Sequence, residues 1–108
     1  MDIPKQLQEI KSIYIKSLAE LARQAVRHGI TDVSFSQILR AMIEADIISV
    51  NSLAMLSRVE RSTASRWVHG HNAPSTLSQE TILLRIADIA ETSINPLHKS
   101  SETEPTRE

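Results

Sequence analysis

The sequence predicts an all-α fold, a five-helix bundle with a long N-terminal helix and a disordered C-terminal tail. Two observations carry that expectation. Apolar residues recur at three- and four-residue spacing through most of the 108 residues, the period of helices that bury one face. Only two glycines and three aromatics (Tyr14, Phe35, Trp67) are present, which leaves little material for tight hairpin turns or aromatic-rich sheets.

The first helix is expected from Ile3 to Val26, where Ile3, Leu7, Ile10, Ile13, Leu18, Leu21, Ala22, Ala25 and Val26 make an apolar stripe. Pro4 suits its first turn, and His28-Gly29 supplies a cation and a stop at its end. At about 25 residues it would be roughly 37 Å long, so part of the stripe is expected to need a partner. A second helix follows over residues 34–46, capped by Asp32 or Ser34, with Ser34 and Gln37 spaced as a capping box. Phe35, Ile38, Leu39, Met42 and Ile43 are its expected buried face, with Ile47-Ile48 packing beyond it. A short third helix runs from Asn51 to about Ser57, and a fourth from Glu60 or Arg61 to His69, where Gly70 stops it. After Pro74-Ser75, Thr76 or Ser78 caps a fifth helix to about Glu91, with Leu77, Ile82, Leu83, Ile86, Ala87, Ile89 and Ala90 inward. Two prolines, several Ser/Thr and mixed charge from Ser93 on predict a mobile tail. The expected organisation is therefore an N-terminal bracing or dimerisation helix over 1–31, a main domain over 32–92 and a tail over 93–108.

Composition excludes several classes of function. With no cysteine there is no disulfide framework, thiol nucleophile or Cys-containing metal site, and a reducing compartment is expected. No apolar run approaches the roughly 20 residues of a membrane span, and Met1-Asp2-Ile3-Pro4-Lys5-Gln6 does not resemble a secretion signal, so a cytoplasmic protein is expected. The formal net charge of −1 argues against indiscriminate nucleic-acid coating. Charge is nevertheless uneven: residues 49–75 carry three Lys/Arg against one acid, while both flanking segments are net acidic.

That basic segment has the outline of a helix-turn-helix, two short helices about three residues apart. Leu53, Ala54, Leu56, Val59, Ala64 and Trp67 can form its buried seam, with small Ala54 where the helices would cross. Arg61, Ser62, Ser65 and Arg66 then fall on the outer side of the fourth helix.

The run from Leu53 to Ser75 resembles the Cro/phage-repressor (XRE-like, lambda-repressor-like) family of helix-turn-helix proteins. Leu53-Ala54, Val59, Ser65-Arg66-Trp67, Gly70 and Pro74-Ser75 stand where that family's pattern has them, and the likeness covers about residues 34–91. Arg58 replaces the usual turn glycine and Val68 the usual acid. The resemblance implies that the fourth helix enters the DNA major groove and reads base edges with its N-terminal half. Arg61 and Arg66 would donate in pairs to guanine, with Ser62, Thr63 and Ser65 making shorter contacts. Asn51 and Ser52 at the start of the third helix, together with Arg58, His69, His71 and Asn72, would meet phosphates. Double-stranded DNA is the implied partner and a homodimer on an inverted repeat the implied assembly, located at the nucleoid when bound. Repression would follow from covering a promoter.

Plainer readings compete at each point. An Arg/Ser-rich face is commonly just solvated. Trp67 by its spacing reads as core rather than as a base-stacking side chain. His69-Gly70-His71 lacks the further ligands a metal site needs, so neither metal nor cofactor is expected. Glu44 and Asp46 point to different faces, and no nucleophile, base or phosphate-cradling loop is visible, so no enzymatic activity is expected. Two alternatives to a simple repressor remain. One is an antitoxin or antiactivator whose first helix grips another protein while it controls its own operon. The other is an interaction module that no longer binds DNA.

Overall fold

The computed structural model describes residues 5–94, which form five α-helices and, among the described residues, no strand. They are α1 (Lys5–His28), α2 (Asp32–Glu44), α3 (Val50–Ser57), α4 (Arg61–Val68) and α5 (Thr76–Ser93). The tail expected beyond Ser93 lies almost wholly outside the described residues.

Three helices begin on the same device. Thr31, Ser49 and Ser75 are extended at the N-cap, and each side chain accepts a hydrogen bond from the amide three residues on, that of Ser34, Ser52 and Ser78. This corrects the expected caps. Asp32, Ser34, Thr76 and Ser78 are already inside their helices, because the cap must precede the first helical residue in extended backbone. The capping box of α2 is likewise Thr31 with Ser34, each side chain accepting from the other's amide at 3.0 Å, rather than Ser34 with Gln37.

Helix ends are closed by left-handed residues. Asp46 (φ 65°), Arg58 (φ 59°) and Gly70 (φ 78°) end α2, α3 and α4. Each sits in a Schellman pair of backbone bonds, for Arg58 its own amide to Met55 O (3.3 Å) and that of Val59 to Ala54 O (3.0 Å). Only one of the three is the glycine that pays no steric penalty there.

One hydrophobic core joins all five helices. Phe35, Leu39, Met42, Leu53, Leu83 and Ile86 are fully enclosed within it, and Trp67 meets Phe35 edge-on with ring centroids 6.1 Å apart. The most extensive pairing is α1 on α5. Ala19 and Ala22 on one helix and Ala87 and Ala90 on the other are completely buried, which fits close backbone approach. Arg23 fixes the register of the pair, donating to Glu91 at 2.7 and 3.2 Å and to Asp88 at 3.0 Å. The Arg23 guanidinium holds the Glu91 carboxyl below its ordinary range, and its own pKa is raised, chiefly by the hydrogen bond to Glu91.

Two expected core positions are on the surface. Leu77 is 73% exposed and Ile89 is also exposed. The inward arc of α5 is Gln79, Ile82, Leu83, Ile86, Ala87 and Ala90, so helical rotation carries Leu77 away from it, and Gln79 occupies the inward position in the first turn. In α1 the buried arc is Ile15, Leu18, Ala19 and Ala22, whereas Leu7, Ile10, Ile13 and Leu21 of the expected stripe are exposed. None of the described helices is long and apolar enough to cross a membrane.

Candidate nucleic-acid interface

The face of interest is built by α3, α4 and the three residues between them. Leu53, Ala54, Ala64 and Trp67 are buried where the two helices meet, and Leu56 and Val59 pack partly against the same core. With this seam inward, successive 100° steps of α4 put Arg61, Ser62, Ser65 and Arg66 on the outward arc. Arg61, Ser62 and Arg66 are exposed, while Ser65 within the arc and Thr63 beside it are half-buried. The helix itself carries no acid, and Glu60, at its N-cap, makes no side-chain capping bond. Two guanidinium forks and the intervening hydroxyls therefore project from about two turns of helix, donors facing acceptors in solvent.

The other expected contact residues lie in α3, in the turn and just after α4. Asn51 and Ser52 are exposed at the start of α3. The amide of Ser52 is already taken by Ser49 Oγ at 3.0 Å, and the two hydroxyls lie 3.0 Å apart. Ser52 is thus part of the cap, with its amide hydrogen-bonded within the turn and its side chain exposed. Asn51 lies within that turn. Arg58 stands exposed at the turn, and its left-handed conformation reproduces what glycine supplies at such positions. His69, His71 and Asn72 are exposed just after α4. His69 Nδ1 lies 2.8 Å from the Ser65 carbonyl. A carbonyl only accepts, so Nδ1 carries the proton, and the ring cannot act through that nitrogen as a base on Ser65 Oγ, 3.4 Å away. The rings of His69 and His71 lie nearly parallel, 6.2 Å apart. Among the described residues no group of three or more His, Asp or Glu side chains is placed to hold a metal ion.

Comparison of the chain with protein-family models, with curated proteins and with solved structures finds no match.

Three further residues position the face. Ser36, buried on α2, donates to the carbonyl of Val68 at 3.1 Å, and Arg40, one turn later, donates to the same oxygen through Nε (3.3 Å) and Nη2 (3.2 Å). A cation at the C-terminal carbonyl of α4 offsets the negative end of the helix dipole and pins the helix to α2. Buried Gln79 donates through Nε2 to Asp32 Oδ1 and to the carbonyl of Pro74, both at 2.9 Å, tying the loop after α4 to the first turn of α2. A polar residue within an otherwise apolar face, Ser36 in α2 and Gln79 in α5, was the available signal.

Proposed function

We propose that this chain is a sequence-specific DNA-binding transcriptional regulator, a repressor in the first instance, that occupies an inverted-repeat operator as a homodimer. The α3–turn–α4 unit would be its helix-turn-helix and α4 its recognition helix. The observation that carries the reading is the outward arc of α4. Arg61, Ser62, Ser65 and Arg66 stand on a short helix whose opposite side is locked into the core, with no acidic side chain inside the arc. Paired guanidinium donors suit guanine O6 and N7, and each good pair is worth about 1–3 kcal/mol of discrimination. Asn51, Arg58, His69, His71 and Asn72 are exposed on the segments before and after α4 and would supply the phosphate contacts that set register. The rigid support of α4 by Ser36 and Arg40 favours the same reading, since base readout requires a helix held in one orientation.

The test is fluorescence-anisotropy binding to DNA from upstream of the chain's own gene against shuffled DNA, at two salt concentrations. Wild type should prefer the upstream DNA and weaken with salt, and Arg61→Ala/Arg66→Ala should lose roughly 100-fold or more of that preference while Trp67 fluorescence reports an intact core. Equal affinity for both DNAs, or a preference that survives the double substitution, refutes the assignment of α4.

A further inference from the structure

Ahead of Ile15, every residue of α1 whose side chain is described is exposed. Its first buried residue is Ile15, and before it Leu7, Ile10, Ile13 and Tyr14 are between 49% and 65% exposed, as is Leu21 further on. A stretch of helix this exposed is marginal in water, because nucleation is costly and propensity alone repays little. A surface of large apolar side chains on such a segment marks a partner.

The arrangement of those residues specifies which partner. At 100° per residue, Leu7, Ile10, Tyr14 and Leu21 lie within an arc of about 60°, roughly 110° round from the arc that faces α5. Their spacing is that of a heptad seam whose remaining positions are the exposed Ser17 and Gln24. Set antiparallel against itself, this seam places Ile10 opposite Leu21, Leu7 opposite Gln24, and Tyr14 opposite Ser17. The largest side chain thus meets the smallest, and each layer occurs twice about the two-fold axis. The far end of the seam opens into an apolar groove of about 370 Å³ lined by Leu21, Ala25 and Ile38 among others, where the protruding Leu7 end of a second copy would seat. Protrusion and groove on one surface are self-complementary, as an isologous two-fold contact requires. At roughly 100 Å² for each of the four apolar side chains the pair covers about 800 Å², to which Ser17 and Gln24 add, close to the roughly 1,000 Å² at which specific interfaces begin.

We infer that the Leu7–Ile10–Tyr14–Leu21 face of α1 is the dimerisation surface, pairing antiparallel with α1 of a second copy of this chain. This specifies the dimer of the reading above, but is tested without DNA. Sedimentation equilibrium of the full chain should give twice the 12.1 kDa of one copy. Ile10→Glu/Tyr14→Glu should weaken dimerisation by at least about 100-fold, since each dimer loses four buried apolar groups, whereas Leu77→Glu, a comparable charge on an exposed leucine of α5, should leave it unchanged. Because the chain has no cysteine, orientation can be read by oxidation. Ile10→Cys/Leu21→Cys should cross-link into a covalent dimer and Ile10→Cys alone should not, as the two Ile10 positions would be about 16 Å apart. A wild-type chain that sediments as a monomer overturns the inference, even if another protein binds α1. So does a dimer that survives the double glutamate, or efficient cross-linking of Ile10→Cys alone. A dimer that fails to bind DNA refutes only the DNA-binding reading, and a monomer that binds DNA refutes only this one.

Discussion

Replacing Arg58 by glycine should stabilise the protein. Arg58 closes α3 at φ 59° and ψ 45°, where the Cβ of an L-residue crowds the following carbonyl at a cost of about 1–2 kcal/mol. Glycine escapes that crowding but loses about 0.5–1 kcal/mol more chain entropy on folding. The Schellman bonds of the Arg58 and Val59 amides are backbone bonds that glycine keeps. The net gain expected is about 0.5–1 kcal/mol, which for a domain of this size raises Tm by roughly 2–8 °C. Thermal unfolding followed by circular dichroism measures it, with Arg58→Ala as the control that removes the same guanidinium but keeps a Cβ in the left-handed well. Arg58→Gly should melt above wild type and Arg58→Ala near it. If the two variants move together, the side chain rather than the backbone governs this position and the strain argument fails. If Arg58 also meets a phosphate, both variants should lower the salt dependence of DNA binding by about one unit of slope, because both delete one cation.

Three further substitutions probe the supports of the face. Gly70→Ala should cost about 1–2 kcal/mol in urea unfolding, because φ is 78° and the new Cβ would lie 3.4 Å from Ser36 Oγ; a neutral result would mean the α4 terminus relaxes freely. Ser36→Ala removes a buried hydroxyl that donates to Val68 O and accepts from Arg40 Nη2, and a loss of about 1 kcal/mol is expected, whereas an unchanged midpoint would show that Arg40 alone suffices at that carbonyl. Arg23→Ala breaks the partly exposed bridge to Glu91 and Asp88, with an expected loss of about 0.5–1 kcal/mol at neutral pH. Because Arg23 holds the Glu91 carboxyl below its ordinary 4.5, the bridge's stabilisation is present above that value and is lost as pH falls through the lowered one. The gap between wild-type and Arg23→Ala melting temperatures should therefore narrow below about pH 4.5, and a gap that is constant down to pH 3 contradicts the pairing.

Much of the fold was legible in the chain because helical periodicity is local. Leu53, Ala54, Ala64 and Trp67 could be assigned inward from spacing alone, and with them the outward arc of Arg61, Ser62, Ser65 and Arg66. The starts of α2, α3 and α5 were read one or more residues late. The recurring Ser/Thr-x-x-Ser pattern at Thr31, Ser49 and Ser75 was present to be read, but which hydroxyl caps depends on where the backbone turns extended. Leu77 and Gln79 illustrate the opposite problem. Hydropathy favours burying the leucine, and only the phase of α5, set by Ile82, Leu83 and Ile86 against the rest of the core, turns Gln79 inward and leaves Leu77 in water.

What the sequence determined by itself is therefore the number and order of the helices and the identity of the face that α4 turns outward, since both follow from residue spacing within a single helix. Only the tertiary structure decided how the apolar surface of α1 is divided. Its spacing carries apolar residues on adjoining arcs, and the small residues Ala19 and Ala22 let one arc approach α5 while Arg23 fixes the register from Asp88 and Glu91. Leu7, Ile10, Tyr14 and Leu21 remain on the other arc. The same holds for Ser36, Arg40 and Gln79, whose partners lie 28 to 47 residues away along the chain. Contacts across such separations depend on how helices pack against one another, and no local pattern encodes them.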